Sequence, residues 1–127
     1  MKRFYLIDDD AIFVFLTRKT LQVANLNTDL TVFEDGEKAL LDLATNANQP
    51  GLLRDIIFLD LNMPVLAGWG FLEKFLLLEP SISKKIDIYI VSSSISPSEL
   101  ERSQGIPVVT DFLTKPLSRS KFVEIFE

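Results

Sequence analysis

Five short, almost purely apolar runs punctuate this chain, and each gives way to a segment with helical spacing. Strand-length runs without polar alternation belong to strands covered on both faces, and their alternation with helices is the pattern of an α/β domain with a parallel sheet. The runs are Phe4-Tyr5-Leu6-Ile7, Leu30-Thr31-Val32-Phe33, Ile56-Ile57-Phe58-Leu59, Ile86 to Val91 and Val108 to Leu113. The third is the most apolar, which places it at the sheet centre. A chain of 127 residues holds one such unit, because domains run about 100 to 150 residues at the mode.

The helix signals fall between the strands. Asp10 stands where an N-cap opens a helix from Ala11 to about Ala24, with Ile12, Phe15, Leu16 and Lys19 at helical spacing. Asp35-Gly36 opens a second helix through Ala39, Leu40, Leu43 and Ala44, and a third runs from about Trp69 to Leu78, where Pro80 ends it. Trp69, Phe71 and Phe75 read as packing residues, since helical spacing explains them without a ligand. Ser96-Pro97-Ser98-Glu99 is a capping box with proline at the first helical position, ahead of a helix of only two turns or so because Gly105 and Pro107 follow. Ser118 caps the last helix.

Composition removes whole classes of chemistry. Cysteine and histidine are both absent, which excludes disulfides, thiolate zinc sites, histidine-based triads and phosphohistidine. Thirteen Lys plus Arg against eighteen Asp plus Glu leave a formal charge of −5, and the pair Lys84-Lys85 is flanked by Asp87, so nucleic acid is not an expected partner. The apolar runs fall far short of the roughly 18 residues of a membrane span, and Asp8-Asp9-Asp10 interrupts the first before it could serve as a signal-peptide core. A cytoplasmic protein without membrane insertion is the expectation.

The acidic residues are informative by position. Asp8 and Asp9 close the first strand, Asp60 the third, Ser92 the fourth and Lys115 the fifth. In an open parallel sheet those carboxyl ends share one edge, and with the usual order 2-1-3-4-5 the first and third strands flank the switch point where ligands bind. Singly, each has a plain explanation: an acidic pair caps a helix, as Asp10 does, a strand-terminal aspartate makes a turn, and a lysine is solvated. Jointly, three carboxylates in one pocket repel by more than about 1 kcal/mol each, and need a cation or raised pKa values. A hard divalent ion such as Mg2+ fits, as the chain has no histidine or cysteine thiolate to favour a softer metal. A carboxylate held there can attack a phosphoryl group, with Lys115 neutralising the incoming charge and Ser92 donating a hydrogen bond.

Taken together, Leu6-Ile7-Asp8-Asp9-Asp10, Leu59-Asp60-Leu61-Asn62-Met63-Pro64 with Gly68, Val91-Ser92-Ser93 and Lys115-Pro116 resemble the receiver domain of bacterial two-component response regulators. The resemblance covers residues 1–127. It implies a flavodoxin-like (βα)5 fold, a doubly wound five-stranded parallel sheet of order 2-1-3-4-5 in a single CheY-like domain. It implies that Asp60 accepts a phosphoryl group from a sensor histidine kinase or a histidine phosphotransfer protein. Asp9, Asp60 and the backbone carbonyl of Asn62 would hold Mg2+, with Asp8 supporting through a water. Lys115 would pair with the phosphate and precede a cis Pro116, Ser92 would be the switch hydroxyl, and Phe112 the aromatic that moves with it. Ala67, Leu66 and Ser93 depart from the usual pattern without removing a required group.

The function expected is a phosphorylation-dependent switch of a two-component system or phosphorelay without its own output domain, acting by binding an output protein or relaying the phosphoryl group rather than as an enzyme. The alternative is an unphosphorylated adaptor that keeps the fold for protein interaction. The set Asp9, Asp60, Ser92 and Lys115 favours the switch, because an adaptor has no need to preserve clustered carboxylates. A phosphatase would need a second acid where Asn62 stands.

Overall fold

The computed structural model describes residues 2–53, 55–61, 68–93 and 96–126. Strands β1 (Lys2–Ile7), β2 (Thr28–Phe33), β3 (Ile56–Asp60), β4 (Asp87–Ser92) and β5 (Val109–Thr114) alternate with helices α1 (Ala11–Val23), α2 (Gly36–Thr45), α3 (Gly68–Leu78), α4 (Pro97–Gln104) and α5 (Arg119–Phe126). The strands form one sheet in the order β2-β1-β3-β4-β5, and every pairing is parallel. This is the doubly wound single-domain architecture expected from the sequence.

Alternation along the strands divides the core in two. Phe4 and Leu6 of β1, Ile56 and Phe58 of β3, and Val91 of β4 face one side with Phe13 and Leu21 of α1 and Phe122 and Phe126 of α5. There the Phe58 ring meets Phe4, Phe122 and Phe126 edge-on, an arrangement aromatic quadrupoles favour. Tyr5, Ile7, Ile57, Leu59, Ile88 and Ile90 face the opposite side with Ala39 and Leu43 of α2 and Phe71, Leu72 and Phe75 of α3. All five residues of β3 are buried, as an apolar run without alternation requires.

Three differences from the sequence reading have physical causes. The Ile12, Phe15 and Leu16 stripe of α1 lies outward, 73%, 58% and 45% exposed, while Phe13, Thr17 and Leu21 face the sheet. The helical period is as read, but α1 is apolar on more than one face, and spacing alone does not choose between them. Strand β2 begins at Thr28 rather than Leu30, because an edge strand pairs through its backbone and tolerates the polar Thr28 and Asp29. Beyond α3, Pro80 ends the α-helix as expected, but Glu79–Ser81 adds a 3-10 turn, in which an early proline surrenders no hydrogen bond.

Candidate functional site

The carboxyl edge of the sheet assembles Asp8, Asp9, Asp60, Ser92 and Lys115. Asp8 follows β1 directly, and its backbone N–H donates to the Phe33 carbonyl at 2.9 Å, prolonging the pairing with β2. Its Oδ1 accepts the Asp10 N–H at 2.9 Å. Asp10 Oδ1 in turn accepts the N–H groups of Ile12 at 3.0 Å and Phe13 at 3.2 Å, capping α1. One acidic run therefore closes a strand, fixes a turn and opens a helix. Asp9 between them is exposed.

Asp60 ends β3, 6% exposed, and the chain behind it is crowded. A Cβ at Gly68 would lie 2.8 Å from both the Asp60 carbonyl oxygen and the Leu61 Cα, so only glycine permits α3 to start there, with its N–H donating to the Leu61 carbonyl at 3.0 Å. Just beyond β5, the Lys115 ammonium lies 2.8 Å from Asp8 Oδ2 and 3.8 Å from Asp60 Oδ1. It also sits over the Phe13 ring, 4.5 Å from the centroid. The Lys115 N–H donates to the Ser92 carbonyl at 2.8 Å, tying the ends of β4 and β5 together, and the Lys115–Pro116 bond is cis. Ser92 is buried, 2% exposed.

Carboxylate oxygens of Asp8, Asp9 and Asp60 lie within 4.8 Å of one another. Two oxygens on opposite sides of one magnesium ion are about 4.2 Å apart, twice the metal–oxygen distance, so the cluster is near the right size, with slack for one carboxylate to act through a water. Buried Asp8 Oδ2 has no directed hydrogen-bond donor among the described residues, although the Lys115 ammonium is close to it. Three carboxylates around one ammonium leave excess negative charge, and this all-oxygen donor set fits a hard dication. Asn62, whose carbonyl the resemblance adds to the set, lies outside the described residues, as do Met63, Pro64, Leu66 and Ala67.

Phe112, expected as the mobile aromatic, lies on β5. It is 8% exposed and belongs to the core containing Ile88 and Ile90. A phenyl ring has no polar tip to keep in water, and its burial stabilises by about 1.5–3 kcal/mol. Two contributors were not singled out in the sequence: Phe13, one of several apolar residues on α1, and Leu61, 2% exposed beneath Gly68.

The family model of the response regulator receiver domain matches residues 4–127. The chain belongs to this family. Among solved structures, the receiver is similar to a two-component response regulator from Cytophaga hutchinsonii, with 23% identity, TM-score 0.83, and 99% of this chain and 94% of that one covered. It is also similar to the chemotaxis protein CheY4 of Vibrio cholerae, with 22% identity, TM-score 0.76, and 98% and 95% covered. The phosphorylated cyanobacterial phytochrome response regulator RcpA matches with 25% identity, TM-score 0.76, and 98% and 88% covered. Comparison with curated proteins gave no match. No helix among the described residues is long and apolar enough to cross a membrane.

Proposed function

We propose that this receiver is a phosphorylation-dependent cytoplasmic switch in which Asp60 takes a phosphoryl group from the phosphohistidine of a sensor kinase or phosphotransfer protein. The observation that carries this reading is the convergence of the Asp8, Asp9 and Asp60 carboxylates with the Lys115 ammonium at one sheet edge. Phosphorylation of the structurally similar cyanobacterial regulator supports it.

An Asp60 carboxylate oxygen attacks phosphorus, the P–N bond to the partner's imidazole breaks, and the released nitrogen keeps the electron pair. Asp9, Asp60 and the Asn62 carbonyl would hold Mg2+, with Asp8 behind a water; the ion supplies neutralisation of the phosphoryl oxygens. Lys115, already 3.8 Å from Asp60, adds positive charge beside the acceptor. The Ser92 hydroxyl donates to a phosphoryl oxygen once the group is in place. The exposed stripe Ile12, Phe15 and Leu16 begins just beyond Asp9 and offers a donor protein an apolar seat.

Phosphoramidate tests this reading because its P–N bond is that of phosphohistidine. With magnesium, intact mass should gain one phosphoryl group; with chelator it should gain none. A protein left unlabelled in magnesium by both phosphoramidate and a phosphorylated phosphotransfer protein is the adaptor instead.

A further inference from the structure

We propose that Phe13 is a positioning residue for Lys115, its ring face fixing the ammonium beside Asp60; this rests on the reading of Asp60 as phosphoacceptor. A lysine head on a four-carbon stem has many rotamers and points at a target only if something restrains it. Among the described residues the restraint has three parts: Asp8 Oδ2 at 2.8 Å, Asp60 Oδ1 at 3.8 Å and the Phe13 ring centroid at 4.5 Å.

The two carboxylates do not serve equally in every state of the site. A divalent cation among Asp8, Asp9 and Asp60 would draw on the same oxygens and weaken their hold on the ammonium. The ring does not compete for metal, and the negative face of its quadrupole attracts the ammonium whether or not the carboxylates are engaged. Phe13 is therefore the contact that stays constant as the site is loaded.

Its placement is built into the acidic run. Phe13 is the third residue of α1, 4% exposed, and its N–H is held by the Asp10 cap, whose own N–H is held by Asp8. The backbone that carries the ring is thus tied to the Asp8 carboxylate through two hydrogen bonds. An aliphatic side chain would fill the same volume without supplying a negative face, which separates positioning from packing.

The experiment compares wild type, Phe13→Leu, Phe13→Tyr and a protein carrying a trifluorinated phenylalanine at position 13, whose ring has nearly native volume but a weakened negative face. Melting temperature and the rate of phosphorylation by phosphoramidate in saturating magnesium are measured for each. The fluorinated protein and Phe13→Leu should label about two- to thirty-fold more slowly, the fluorinated one with a native melting temperature, while Phe13→Tyr stays near wild type. A fluorinated protein that labels at the wild-type rate overturns the proposal, even where Phe13→Leu fails to fold. A wild type that takes no label from phosphoramidate or from a phosphorylated phosphotransfer protein overturns the reading of Asp60 and the positioning role with it, so the two failures are distinct.

Discussion

Asp8 and Asp9 are adjacent and chemically identical, yet the fold sets them in opposite surroundings. Asp8 is 1% exposed and ion-paired with Lys115, whereas Asp9 faces solvent. Removing Asp9 in the absence of metal relieves repulsion, so Asp9→Ala should unfold in urea with chelator at the wild-type midpoint or above it, and should lose most of the stabilisation that magnesium confers on wild type. Asp8→Ala strips a buried partner from Lys115 and the Asp10 N–H, and should lower stability by about 1–3 kcal/mol under the same conditions. Tyr89 gives a pH signature. Its partial burial, with the nearby charges of Asp87, Asp111 and Glu124, raises its pKa above the usual tyrosine value. The folded state therefore holds this proton more tightly than the unfolded chain. That contribution to stability is complete below the unfolded pKa of about 10 and is lost as pH rises through the folded value. Melting temperature followed above pH 10 should accordingly fall less steeply in Tyr89→Phe than in wild type.

At the scale of elements, α3 makes the strictest demand, because its first residue abuts the backbone that carries Asp60. Gly68→Ala introduces a Cβ 2.8 Å from Asp60 and Leu61 backbone atoms, which cannot rotate away as a side chain could. The variant should lose about 1–3 kcal/mol in urea unfolding and should also label more slowly, since the strain falls on the acceptor strand. The elements themselves were legible because strand and helix leave different periods in apolar residues, and Asp10, Asp35, Ser96 and Ser118 all mark helix starts. The face of α1 was not legible. Phe13, Thr17 and Leu21 repeat every four residues, but Ile12, Phe15 and Leu16 also fit a helical stripe, and only docking onto Phe4, Leu6 and Phe58 decides between them. The carboxyl-edge cluster could be read because topology brings strand ends together whatever their separation in sequence. Closer detail could not: the nearer approach of Lys115 to Asp8 than to Asp60, and the ring beneath it, depend on rotamers that no spacing rule encodes.

Across the whole molecule, a switch needs an element with two arrangements, and α4 is a candidate to move with Phe112. This helix spans eight residues, and only Leu100 supplies it with a bulky apolar side chain. The Arg102 guanidinium also lies 4.4 Å from the centroid of the Trp69 ring on α3. A charged hydrogen bond from Ser92 to the phosphoryl group is worth about 1.5–3 kcal/mol, enough to shift such an equilibrium roughly ten- to a hundred-fold. Trp69 is the sole tryptophan, so its fluorescence should change on phosphorylation of wild type; Ser92→Ala should take the label but lose most of that change. Beneath all of this lies the identity of the acceptor. Intact and fragment mass measured on wild type and Asp60→Asn, each incubated with magnesium and phosphoramidate, tests it directly. One added phosphoryl group carried on Asp60 is expected in wild type and none in the variant. Equal labelling of the two proteins, or a phosphoryl group found on another residue of wild type, would contradict it.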